Sequence, residues 1–136
     1  MRFLIVLLVF FVPIPTVTQS SQTPSKWPET VSMLQLIANP EKYDGKTVGV
    51  VGFLRLEFEG NELYLHKEDY DQRITKNGIW VDLSSKVKED ADKLDMHYVL
   101  VFGRFNAGKK GHMDLMSGSI EIAAVTTWPP HGAKNE

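Results

Sequence analysis

The sequence predicts a small closed β-barrel: all-β with minor α, five strands in Greek-key order, one helix between the third and fourth strands and a short helix ahead of the first. Three observations carry that expectation. Lys46–Phe58 (KTVGVVGFLRLEF) and His97–Phe105 (HYVLVFGRF) share a Val-rich, period-two pattern with an embedded glycine. A Ser-led, helix-like stretch lies shortly before the second of them. Further alternating runs, Glu62–His66 (ELYLH) and Gly78–Leu83 (GIWVDL), stand between the first strand and that helix.

Composition bounds the rest. Of 136 residues, the first 20 read as an export signal: Met1-Arg2 is a minimal basic start, Phe3–Val12 an unbroken apolar run, and Pro13 and Pro15 end it before the small polar stretch Thr16–Ser21. The apolar run falls short of the roughly 18 residues of a spanning helix. No transmembrane span is therefore expected in the mature chain, which should be periplasmic or secreted; an uncleaved N-terminal anchor is the lesser alternative. The chain has no cysteine, which excludes disulfides, a lipidated cysteine and cysteine-based metal sites. Fifteen basic against 17 acidic side chains give a net charge of −2, and loss of the leader removes Arg2 and no acid. Such a balance disfavours a protein that lives by neutralising phosphates, so nucleic acid is an unexpected partner.

The elements follow in order. Residues 21–29 (SQTPSKWPE) read as a flexible lead-in, and residues 30–127 as the single domain. Thr30–Ala38 carries Met33, Leu34 and Ile37 at helical spacing and stops at Asn39-Pro40, since the residue before proline is driven out of the α region. Pro40–Gly45 is a turn. In the first strand Val48, Val50, Leu54, Leu56 and Phe58 share the inner face, with Val51, Phe53, Arg55 and Glu57 opposite. Gly49 and Gly52 provide for a bend or bulge, and Gly60-Asn61 signals a two-residue hairpin. Lys67–Asn77 reads as a charged loop. Ser84 or Ser85 caps a helix reaching about Leu94, with Val87, Ala91 and Leu94 as its apolar stripe. Tyr98–Phe105 is the fourth strand, Asn106–Gly118 a Gly- and Lys-rich loop, Ser119–Val125 the fifth strand, and residues 128–136 a disordered tail.

This order resembles the five-stranded OB-fold. The likeness rests on Val48-x-Val50-x-Gly52, the Gly60-Asn61 hairpin, Gly78-Ile79-Trp80-Val81-Asp82, the Ser-capped helix and Tyr98-Val99-x-Val101-x-Gly103-Arg104-Phe105. Its lead, Asn39-Pro40-x-x-Tyr43-x-Gly45-Lys46-x-Val48, also resembles the opening of small exported bacterial (tRNA-anti-like) OB proteins, mostly without assigned activity.

The resemblance implies a ligand face on the second and third strands, where the outward residues are Tyr64, His66, Trp80 and Asp82. Two aromatic rings with polar neighbours can stack on bases, sugars or apolar side chains; the same rings could equally cover the barrel beneath the N-terminal helix or the tail. Arg55 and Arg104 could meet an anion, or pair with acids such as Glu57 or Asp82. Lys109 and Lys110 mark the loop that flanks the ligand in this fold. His66-x-Glu68-Asp69 and His112-x-Asp114 lack the spacing of a metal site, and no nucleophile elbow or phosphate loop is present. The expectation is a monomeric, non-catalytic module without cofactor or metal. It would hold an extended oligosaccharide, peptide or nucleotide-like ligand, or else dock an envelope protein on its aromatic patch.

Overall fold

A computed structural model of the chain describes residues 28–129. The leader, Trp27, most of the lead-in and the residues from 130 onward lie outside them. The described chain runs β1 Thr30–Val31, α1 Met33–Ala38, α2 Pro40–Tyr43, β2 Thr47–Leu56, β3 Asn61–Tyr64, α3 Lys67–Asp71, a 3-10 turn at Thr75–Asn77, β4 Gly78–Leu83, α4 Ser85–Asp92, β5 Tyr98–Asn106, a second 3-10 turn at His112–Asp114, and β6 Ser119–Thr127.

Strands β2 to β6 pair in the order β2-β3-β4-β6-β5, and β5 returns to β2 and closes the barrel. With α4 between β4 and β5, this is the OB-fold. The closure depends on β2 serving two partners: Thr47–Phe53 pairs with β5 and Phe53–Leu56 with β3. Gly52 sits at the handover, where a Cβ would lie 2.7 Å from both Leu63 Cγ and the Tyr64 carbonyl oxygen, so only a bare backbone fits. The register shift in the barrel falls between Phe102 and Gly103 of β5, not on β2, where the glycines had pointed.

Alternation along the strands fills the interior. Leu54, Leu63, Ile79, Val101, Phe105 and Ile120 are completely buried, and Leu36 of α1 joins them. Each contributes about 2 kcal/mol by leaving water. Helix α4 adds Val87 and Ala91 to the same core.

Several boundaries differ from the sequence expectations. Thr30–Val31 is a sixth strand, parallel to Gly49–Val50 of β2, so α1 starts only at Met33. Ser32 caps it: its Oγ accepts from the Gln35 amide at 3.2 Å, and the Gln35 side chain accepts from the Ser32 amide at 3.1 Å. Pro40–Tyr43 forms a helical turn that buries Tyr43. The hairpin turn is Glu57–Gly60, closed by the Glu57 amide donating to the Gly60 carbonyl at 2.9 Å, and not a two-residue Gly60-Asn61 turn. Strand alternation therefore stops at Leu56, and Phe58, expected inside, is fully exposed at the tip. The segment Lys67–Asn77, expected to be a loop, holds α3 and a 3-10 turn.

Candidate functional site

The outward side chains of β2, β3 and β4 fall into register across the sheet. Phe53 stands beside Tyr64 and then Gly78; Arg55 stands beside Glu62 and then Trp80. Phe53, Tyr64 and Met116 form a second, smaller buried cluster on the outside of the barrel, with Tyr70 and Trp80 packed against it. Two segments build that cover. Lys67–Asn77 brings Tyr70 over Tyr64 edge-to-face, ring centroids 5.8 Å apart. The loop between β5 and β6 brings Met116 and lays Gly111 on the Trp80 ring; Gly111 has φ +71°, and any Cβ there would collide with the indole.

Tyr64, expected to be available for stacking, is thus buried to 3 % exposure, and Trp80 is half-buried with a backbone against one part of its ring. The covering elements are α3 and the β5–β6 loop. The Tyr64 hydroxyl donates to Glu62 Oε2 at 2.8 Å. Burial first, and then that hydrogen bond, push its phenol well above the usual tyrosine value, so it stays a donor.

Arg55 ties three parts of the chain together. Its Nε donates to the Tyr70 hydroxyl at 3.0 Å and one terminal nitrogen donates to Asp95 Oδ2 at 2.8 Å, while the other meets Glu57 at 3.1 Å. Tyr70 passes its own proton toward Glu57 Oε1 at 3.0 Å, and Asp95 Oδ1 accepts from the Leu56 amide at 2.8 Å. The hydrogen bond it donates to the Tyr70 hydroxyl, and then the neighbouring Asp95, hold the guanidinium above its usual range. One cation thereby fixes α3 and the α4–β5 connection to β2.

The predicted site residues end up in three places. Tyr64 lines a cleft of about 690 Å³ with Glu57, Glu62, Tyr70, Asp71 and Leu115. It extends from the β2–β3 turn to the β5–β6 loop, over the outer face of β3. Asp82, Arg104 and Lys109 gather around a separate polar cleft of about 440 Å³ with Asp44, Asn106 and Glu121. There Lys109 Nζ donates to both Asp82 oxygens at 2.7 Å, so it is Lys109 and not an arginine that pairs Asp82. Arg104 has no ion pair or hydrogen bond from its side chain among the described residues, and neither has Lys110. His66, expected on β3, lies past its end at Tyr64 and stands at the start of α3. Its amide donates to Asp69 Oδ2 at 3.0 Å, and its ring lines an apolar groove with Met33, Tyr98 and Trp128.

Glu57 pairs with Arg55 as the sequence suggests, whereas nothing local in the sequence marks Tyr70, Phe53 or Asp95 as parts of the site. Tyr70 sits in a five-residue helix too short to show a period. Asp95 lies 40 positions from the arginine it binds. Among the described residues no three His, Asp or Glu side chains gather as metal ligands, and no helix is long and apolar enough to cross a membrane.

No family model matches the chain, and no curated protein matches it either. Among solved structures it is similar to a chain of the Stn1–Ten1 complex of S. pombe, at 12% identity and a TM-score of 0.50, over 79% of this chain and 83% of that one. An asparaginyl-tRNA synthetase from Pyrococcus horikoshii aligns at 16% identity and a TM-score of 0.43, over 64% of this chain and 20% of that one. At these identities the first likeness speaks to the fold alone, in agreement with the strand order.

Proposed function

We propose that the protein is an exported, non-catalytic OB-fold binding module that holds an extended ligand across the outer face of β3 and β4, the second and third strands of the barrel. One observation carries this reading: a cleft lined by Glu62 and Tyr64 of β3 opens between the β2–β3 turn at Glu57 and the β5–β6 loop at Leu115. These are the face and the two loops with which OB barrels hold oligomers. Tyr64 and Tyr70 supply the walls, Trp80 supports the covering loop, and the polar cleft at Asp82, Arg104 and Lys109 offers a second contact area.

Amide chemical shifts of the mature protein, titrated with a chito-oligosaccharide, an oligothymidylate and short peptides, test the reading. Shifts centred on Tyr64, Tyr70 and the Trp80 indole are expected. Shifts confined to Arg104 and Lys109 would move the site, and silence on the β3–β4 face toward every probe would refute it. Mass spectrometry of the mature N-terminus tests export; a chain that retains Met1 or Arg2 counts against it.

A second reading, a protein that docks an envelope partner on this patch, draws on the fully exposed Phe58. It draws also on the likeness to a chain solved in a complex of two proteins.

A further inference from the structure

We infer that the ligand of this face is a basic, partly apolar peptide segment of another protein; the inference rests on the reading that the β3–β4 face binds. Charge is the first ground. Between Glu57 and Gln72 the chain carries six acids, Glu57, Glu59, Glu62, Glu68, Asp69 and Asp71, against the single base Lys67. Lys67 is itself held by Asp71 across one helical turn. This stretch contains the turn, β3 and α3, which are the elements that frame the cleft, and Arg73 is the one basic residue lining it.

The second ground is how the carboxylates are satisfied. Glu57 receives its bonds on Oε1, Glu62 on Oε2 and Asp71 on Oδ2. The other oxygen of each has no hydrogen bond among the described residues. Three half-engaged acceptors thus line a cleft walled by two tyrosine rings. A phosphate backbone would be repelled there, and a neutral sugar would leave the charge unmet. An ammonium or guanidinium would take the open oxygens and lie against a ring, as Arg55 already does over Tyr70 at 5.5 Å from its centroid.

Third, Phe58 follows Glu57 directly and is fully exposed between two glutamates. A bare aromatic at a turn tip is an anchor for an apolar side chain, and the glutamates on either side select a partner with basic groups around it. Strain concentrates here as well: of the four non-glycine residues with positive φ among the described residues, Arg73, Met113 and Asp114 lie in the two covering segments.

The experiment titrates the mature protein with a short lysine–leucine alternating peptide, its glutamate–leucine counterpart and an oligothymidylate, reading amide shifts and affinity. The lysine peptide should shift Glu57–Tyr70, bind more weakly as salt rises, and lose at least about fivefold in affinity with Glu62→Gln or with Phe58→Ala. Glu62→Gln keeps an acceptor for Tyr64, and Phe58 supports no core, so both variants should fold; their amide spectra check this. If the glutamate peptide or the oligothymidylate occupies the same residues as tightly, the basic-peptide inference is overturned while the binding face stands. The inference also fails if the lysine peptide binds both variants as it binds the parent. No shift on this face with any probe overturns both the inference and the reading beneath it.

Discussion

The two faces of the same three strands differ in kind. Inside the barrel, β2, β3 and β4 present Leu54, Leu63, Ile79 and Val81, aliphatic and without a polar atom to satisfy. Outside, the alternate residues are Phe53, Arg55, Glu62, Tyr64, Trp80 and Asp82; Tyr64 is tied to Glu62, while Arg55 and Asp82 are tied to residues of the covering and connecting segments. The inner face is closed by the barrel itself, the outer one by two segments that leave and rejoin it. One residue in two carries the fold and the next carries the surface, so the two can be perturbed separately.

Three variants separate the faces, in falling order of effect. Leu63→Ala, on the inner face, should cost about 3 kcal/mol, because the barrel cannot collapse around the hole; urea unfolding measures it, and a loss comparable to that of an outer residue would erase the distinction. Arg55→Ala leaves Asp95 and Glu57 without their cation and should cost about 2 kcal/mol. Its further signature is faster amide exchange in α3 and at Met96–His97, with the β5–β6 ladder unchanged. Tyr64→Phe should cost about 1 kcal/mol near neutrality, and its readout is alkaline. The native phenol keeps a proton that the unfolded chain loses above about pH 10, so stability is full below that pH and falls as pH rises beyond it. In Tyr64→Phe that part of the alkaline decline should be missing; an identical decline in both proteins would show that the phenol is not perturbed.

The inner face was legible in the sequence because its signal is local. Period two in Val48-x-Val50 and Ile79-x-Val81, the breaks at Gly60 and Gly78 and the Ser-led helix each mark an element without reference to anything distant. The outer face was legible only in part. Tyr64 and Trp80 were correctly pointed outward, but alternation tells which side a residue takes and not what later covers it. Their cover comes from α3, where a five-residue helix leaves no periodic trace, and from Gly111, whose role depends on meeting an indole 31 positions earlier in the chain. The acidic cleft leaves no local mark for the same reason: Glu57, Glu62 and Asp71 read as separate surface charges until the turn, β3 and α3 bring them around one space. Phe58 was placed inside because the strand was extended two residues beyond Leu56.

Strand β1 has a consequence for how the chain meets its surroundings. By laying Thr30–Val31 along Gly49–Val50, with the Glu29 carbonyl accepting from the Gly49 amide at 2.8 Å, it occupies a stretch of β2 that would otherwise offer bare backbone to any passing strand. Two residues suffice to guard against polymerisation through that edge. They also fix the bearing on which the polypeptide enters the domain.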